Sequence, residues 1–132
     1  MADALILETT FLIDLERELA HGSPGPAQQF LTNHADSPLY ITFTVAGELA
    51  AGVTVDRRAK WEQLVAPFRV LPYTDDVCWE YGQTFRFLQA NGLLVGTNDL
   101  WIAATALVHE MPLVTRDDRH FQRVPRLRVL TY

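Results

Sequence analysis

The sequence predicts one α/β domain with a short, mostly parallel central sheet. Three observations point there. Short apolar runs alternate with longer stretches whose apolar residues recur at helical spacing, the pattern of parallel strands joined by helices. No linker, internal repeat or low-complexity segment divides the chain, so residues 1–132 read as a single unit. The 132 residues, 48% of them hydrophobic, also suffice for a core without disulfide staples.

Leu5-Ile6-Leu7 reads as a buried strand ending in Glu8-Thr9-Thr10. Phe11, Leu12, Leu15 and Leu19 follow at helical spacing, and His21-Gly22 closes that helix. Ser23-Pro24-Gly25-Pro26 turns the chain into a second helix reaching about His34. Leu39-Tyr40-Ile41-Thr42-Phe43, β-branched and aromatic, is the second strand, with a short helix from Val45 to Ala51 after it. Residues 57–66 are helical in character until Pro67, and Phe68-Arg69-Val70-Leu71 is a third strand stopped by Pro72. Thr74-Asp75-Asp76 caps and charges the start of a helix whose inner face is Val77, Tyr81, Phe85 and Leu88, with Asn91-Gly92 as terminator. Thr97-Asn98-Asp99 opens another, with Leu100, Ala103, Ala104, Leu107 and Val108 inward. Leu113-Val114 and Leu127-Arg128-Val129-Leu130 complete the sheet.

Composition narrows the class. A lone Cys78 cannot form an internal disulfide, which predicts a reducing, cytoplasmic setting. No apolar run approaches the roughly 18 residues of a spanning helix, and no basic region precedes the first apolar stretch. Neither a membrane span nor secretion is expected. The net charge of −5 argues against a general nucleic-acid coat. Its distribution is uneven: residues 1–55 hold seven carboxylates and one arginine, residues 56–132 nine carboxylates and ten basic side chains. Arg116, Arg119, Arg123, Arg126 and Arg128 crowd the last 17 residues. Planar bidentate donors suit phosphate, and suit surface carboxylates or a partner protein equally well.

Ligands of such sheets bind outside the carboxyl ends of the strands, and the acids fall there. Glu8 follows the first strand, Glu48 lies in the first turns after the second, Asp99 opens the helix before the fourth, and Asp117 follows the fourth. Four converging carboxylates repel one another unless a cation sits among them, and oxygen-only ligands favour Mg²⁺ or Mn²⁺. Each acid also has a plainer reading. Asp99 could stabilise its helix start, Asp117 and Asp118 could be turn residues, and Glu8 could be solvated at a strand end. Glu48 is harder to dismiss: with Thr44 as helix cap the reciprocal slot is Gly47, and the surroundings Val45-Ala46-Gly47-Glu48-Leu49-Ala50-Ala51 are too apolar for a solvated face.

Other chemistries lack their residues. The seven glycines form neither a G-x-G-x-x-G nor a phosphate-binding loop, no G-x-S-x-G elbow is present, and the four histidines show no zinc spacing. Cys78 reads as a buried small hydrophobe, His109 as a partner of its helix dipole, and Trp61, Trp79 and Trp101 as core or interface. A phosphoryl-accepting signalling domain also gathers acids at strand ends, but it uses a lysine after a late strand, and Lys60 is mid-chain on a helix.

At these residues the chain resembles the PIN-domain ribonucleases, in particular the VapC toxins of bacterial toxin–antitoxin pairs. The opening Leu7-Glu8-Thr9-Thr10-Phe11-Leu12-Ile13-Asp14-Leu15, the second acidic segment Thr44-Val45-Ala46-Gly47-Glu48-Leu49 and the third, Asn98-Asp99-Leu100-Trp101-Ile102-Ala103-Ala104-Thr105-Ala106, are similar to the family's motifs. So is the close, Leu113-Val114-Thr115-Arg116-Asp117 with His120-Phe121 and Val124-Pro125. The likeness spans essentially the whole chain. It implies a three-layer α/β/α fold and a Mg²⁺- or Mn²⁺-dependent endoribonuclease that cuts transfer RNA or another structured RNA to 5′-phosphate and 3′-hydroxyl ends. A homodimer and a cognate VapB-type antitoxin occupying the acidic cleft are implied with it.

By that resemblance Glu8, Asp99 and Asp117 hold the ion directly or through water, and Glu48 completes the set or orients the attacking water. Thr9, Thr10, Asn98 and Thr115 would hydrogen-bond the carboxylates, and Arg116 and Arg119 would contact the RNA backbone. One position departs from the pattern: the family opens its first motif with aspartate, here Glu8. An extra methylene pushes the carboxylate outward, whereas Mg²⁺ demands near-ideal geometry. The consequences open to it are a shifted ion, a weaker and more Mn²⁺-tolerant site, or a silent enzyme. The last gives the alternative function, a catalytically inactive PIN-fold module acting through antitoxin or dimer contacts.

Overall fold

The computed structural model describes residues 3–52 and 55–132. Five parallel strands run in the order β3-β2-β1-β4-β5, where β1 is Leu5–Leu7, β2 Leu39–Thr42, β3 Arg69–Leu71, β4 Leu113–Val114 and β5 Val129–Leu130. The uniformly apolar β1 is the central strand. Its three residues are buried, as a strand covered on both faces requires, and it pairs Ile6 with Tyr40 on one side and with Leu113 on the other. At the edge, β3 exposes Arg69 and Val70 and buries only Leu71.

Seven helices make the connections: α1 Thr9–His21, α2 Pro26–Asn33, α3 Phe43–Ala50, α4 Arg58–Val65, α5 Asp75–Ala90, α6 Thr97–His109 and α7 Asp118–Phe121. With the sheet they form the α/β/α sandwich that the resemblance implies. From β1 the chain goes to β2 and β3 on one side and returns through β4 and β5 on the other. That puts the topological switch point, and the crevice it opens, between the carboxyl ends of β1 and β4.

The helix ends follow the sequence signals closely. Gly22 (φ 67°) takes the left-handed cap of α1, Thr74 accepts from the Val77 amide at the start of α5, and Gly92 (φ 64°) follows the end of α5. Other features depart from that reading or lie outside it. The cap of α3 is Thr42, whose hydroxyl accepts from the Val45 amide, so Phe43 and Thr44 already belong to the helix. Helix α6 ends without glycine, placing Glu110 in the left-handed region (φ 53°). The turn expected at Asp117-Asp118 is the start of the one-turn helix α7. Cys78 is exposed and Trp79 is 71% exposed, because the buried face of α5 is Val77, Thr84 and Leu88. Leu107 and Val108 of α6 are half-buried.

Helix α2 receives its cap from another helix. Gly25 precedes it and offers no side chain, so the Glu18 carboxylate of α1 accepts from the amides of Gly25, Ala27 and Gln28 at 2.9–3.0 Å. A Cβ on Gly25 would stand 2.6 Å from Glu18 Cδ, which fixes glycine there by close approach. Desolvation works to raise the Glu18 pKa, but the Gln28 and Ala27 amides, the Gln28 side chain and the Gly25 amide together outweigh it and hold it below its ordinary value. The group therefore contributes stability above the ordinary carboxylate range and loses it as pH falls through its depressed folded value. Glu18→Gln is expected to lower the melting temperature at neutral pH. The gap from the unmodified protein should narrow in melting curves taken at pH values falling through the depressed folded pKa, since protonated Glu18 and Gln are both uncharged.

Candidate active site

The crevice between β1 and β4 is built around Glu8. This residue directly follows β1 and is the N-cap of α1 (φ −85°, ψ 162°), where its Oε2 accepts from the Thr10 amide at 2.9 Å. Its Oε1 accepts from the Thr10 hydroxyl at 2.9 Å and from the Thr115 hydroxyl at 2.6 Å. Because β1 and β4 pair Leu7 with Val114, the next residue on each strand is Glu8 or Thr115, and the register alone brings them together. Glu8 is only 5% exposed and Thr115 is fully buried. The solvated strand-end reading of Glu8 is thus overturned: this is an ionisable group inside the protein, with three donors compensating its burial.

The two hydroxyls extend the lattice. Thr10 Oγ1 accepts from the Arg116 amide, and Thr115 Oγ1 accepts from the Asp117 amide, each at 3.1 Å. These bonds fix the turn that carries Asp117 past the end of β4. Glu48, half-buried on α3, accepts from the Thr9 hydroxyl at 2.7 Å through Oε1. That is the partner its apolar surroundings demanded.

Asp99 stands in the first turn of α6 with its side chain 31% exposed. Burial raises its pKa, the charge of Glu8 raises it further, the nearby His120 lowers it, and Glu48 and Asp117 raise it again. Its carboxyl senses all three other acids, so the structure gathers the four into one electrostatic unit. Asp117 is more open, with its side chain 51% exposed.

The supporting residues divide. Thr9, Thr10 and Thr115 donate to the carboxylates, whereas Asn98 is exposed and bonds to none of them. Arg116 is pinned: its Nη1 meets Asp14 Oδ1 at 2.7 Å, and the Tyr132 hydroxyl donates to the other Asp14 oxygen at 2.6 Å. Burial and this bond to Asp14 hold the Tyr132 hydroxyl well above its ordinary pKa. Arg123 reaches the Leu94 carbonyl, Arg126 pairs with Glu80, and Arg128 bonds the Glu110 carbonyl near Asp3. Arg119 is exposed.

Two residues of the quoted motifs gain places that spacing did not assign. Asp14 is the anchor of Arg116, 102 positions away in sequence. His120, on α7, sets Nδ1 3.8 Å from Asp99 Oδ2 and 3.9 Å from Asp117 Oδ2. The histidines carry no zinc spacing, so no local signal marked it.

The acid set consists of hard oxygen donors, which suits Mg²⁺ or Mn²⁺. Among the described residues no three Asp, Glu, His or Cys side chains stand close enough to chelate an ion as they are. Mg²⁺ is commonly held by one or two carboxylates and otherwise by water, so the chemistry of the set fits such an ion. Asp99, Asp117 and Glu48 are the groups that would hold it, with Glu8 Oε2, which accepts only the Thr10 amide, as a further oxygen donor.

The Glu8 lattice is open to a stability test. Thr115→Val should cost about 1–3 kcal/mol by chemical denaturation with an unchanged m-value, because it strips a donor from a buried carboxylate. Thr9→Val, at the half-buried Glu48, should cost less than about 1 kcal/mol.

The comparisons with known proteins agree with this architecture. Residues 5–127 match the family model described as PIN domain. The chain is 32% identical to "Ribonuclease VapC10" of Mycobacterium tuberculosis over 120 residues, covering 89% of this chain and 90% of that protein. It is 36% identical to "Ribonuclease VapC1" of Haemophilus influenzae over 127 residues, 92% of each. Among solved structures, VapBC2 from Rickettsia felis bound to a promoter DNA fragment superposes with a TM-score of 0.81 at 22% identity, over 98% of each chain. DNA-bound VapBC from Salmonella typhimurium gives 0.81 at 21% identity, over 99% of this chain and 98% of that one. With an acid-lined switch point on a parallel five-stranded sheet and relatives of this similarity along nearly its whole length, the chain belongs to the PIN-domain family, among the VapC ribonucleases.

Proposed function

We propose that the protein is a divalent-metal-dependent endoribonuclease, the toxin of a toxin–antitoxin pair, acting on transfer RNA or another structured RNA. The observation that carries this reading is the convergence of Glu8, Glu48, Asp99 and Asp117 on the β1–β4 crevice, with the Asp99 carboxyl raised by burial and by the charges of the other three. An ion bound there, Mg²⁺ or Mn²⁺, lowers the pKa of a water and neutralises charge on the phosphate in the transition state. The protein does the remaining work. Asp99 and Asp117 provide the open carboxylates. Glu48 keeps Oε2 for a water while Thr9 fixes Oε1, so it orients the nucleophile and accepts its proton. Glu8 holds the β1 and β4 ends in register through Thr10 and Thr115.

The partners follow from the same reading. A VapB-type antitoxin restrains the nuclease by occupying the acidic cleft, in keeping with the toxin–antitoxin complexes that share the fold. A homodimer is supported by exposed aromatic rings: Phe43 and Tyr73, in contact with centroids 5.6 Å apart, are 54% and 39% exposed, and Trp79 is 71% exposed. The cytoplasm is the setting for RNA cleavage, and among the described residues no helix is long and apolar enough to cross a membrane. Arg119 is the first contact for the RNA backbone. Arg116, tied to Asp14, presents only the remainder of its guanidinium.

A second reading is favoured by one specific feature: all three bonds to Glu8 come from the protein, which suits a silent PIN-fold module that acts only through antitoxin or dimer contacts. RNA cleavage assays with Mg²⁺ and with Mn²⁺ separate the two. The unmodified chain should cut, EDTA should stop it, and Asp99→Asn or Asp117→Asn should each lower the rate at least about 100-fold. Cleavage by Glu8→Asp alone would establish the silent module. Arg119→Ala should weaken RNA binding and reduce the slope of log affinity against log salt by about 1, read from binding titrations at several salt concentrations.

A further inference from the structure

His120 is a basic side chain placed beside Asp99 and Asp117, and the fold brings it there. Asp117 precedes α7, and the Thr115 hydroxyl holds the Asp117 amide. Phe121, buried to 3% exposure, anchors the helix in the core. One residue earlier, the His120 ring turns back toward the crevice, with Nδ1 nearly equidistant from Asp99 Oδ2 (3.8 Å) and Asp117 Oδ2 (3.9 Å). Both separations exceed hydrogen-bond length, so the ring is bonded to neither acid. Yet both are too short for a layer of water between the groups. Three donor atoms on two sides of a narrow gap are what a shared cation would draw together. The groups that must shift, Asp117 and His120, are the freest to do so, their side chains being 51% and 50% exposed.

We propose that His120 is a nitrogen ligand to the divalent cation held by Asp99 and Asp117, and that it biases the site toward Mn²⁺ over Mg²⁺. The inference rests on the metal-dependent reading above. Its chemistry is the contrast between a hard ion that demands oxygen and gives up water reluctantly, and a softer ion that accepts imidazole.

The competing role for His120 is that of a counter-cation for the two acids, and the two roles have opposite signs. Metal binding is measured on the full chain at about pH 8, above the ordinary imidazole pKa, with Mn²⁺ followed by electron paramagnetic resonance and Mg²⁺ by competition. His120→Ala should weaken Mn²⁺ at least about tenfold while leaving Mg²⁺ within about twofold. The Mn²⁺ electron spin echo of the unmodified protein should carry nitrogen modulation that the variant lacks. Tighter binding of both ions by the variant, equal loss of both, no change, or no nitrogen signal in the unmodified protein would each overturn the assignment. Asp99→Asn in the same titration separates this inference from its premise. If that variant binds as the unmodified protein does, the metal-site reading itself fails. If it loses the ion while His120→Ala does not shift the Mn²⁺ to Mg²⁺ ratio, only the role of His120 fails.

Discussion

A buried carboxylate stitched across two strands is the constraint on which the site depends. Glu8 belongs to β1 by sequence, to α1 as its cap, and to β4 through the Thr115 hydroxyl. Burying an ion is expensive unless donors repay the lost water, and three donors do so here. The same hydroxyls accept from the amides of Arg116 and Asp117, so the position of the second open acid is set by how the first is solvated. Losing one threonine would therefore disturb a strand seam, a helix start and a ligand-bearing turn together.

That arrangement stores a conflict which the fold resolves unevenly. Asp99 and the three acids within its electrostatic reach oppose one another, and His120 offers Asp99 a compensating group. Stability alone would favour removing acids from the crevice. Their placement instead follows the architecture: a parallel sheet ends its central strands at the switch point, and helix starts there already favour negative charge. Asp99 gains from the start of α6 part of what it loses to its neighbours, and Glu8 likewise from α1. The helix dipoles thus offset part of the repulsion within a crowded acid site.

Most of the fold was legible because the signals are local. Leu5-Ile6-Leu7 is wholly apolar because it is central, and Thr74, Gly22 and Gly92 mark helix ends by chemistry that acts within one turn. The errors are local too. Thr42 and Thr44 compete for one cap, and the backbone chose the earlier hydroxyl, starting α3 two residues earlier. Cys78 was misjudged because α5 is apolar on more than one face, and only packing decides which face is covered. The four acids could be placed near one end of the sheet from their positions after strands or at helix starts. Their bonding could not, since Thr115 and Glu8 are 107 positions apart and meet only through strand register.

The arginine-rich end of the chain shows how composition misleads when partners are distant. Five arginines in the last 17 residues suggest a phosphate-binding rim. The fold turns four of them to its own acceptors: Asp14 for Arg116, the Leu94 carbonyl for Arg123, Glu80 for Arg126, and the Glu110 carbonyl for Arg128. Exposed ion pairs of this kind contribute little to stability individually, yet each fixes the direction of a guanidinium. The acidic first half and the arginine-rich end are thus partly one structural fact, since Asp14 with Arg116 and Asp3 with Arg128 join them across the sheet. What remains for a polyanion is a narrow basic rim at Arg119 beside an acidic floor. Under the proposed nuclease function, such a surface would give phosphate a foothold only where a cation covers the floor, which would tie substrate binding to occupancy of the same crevice.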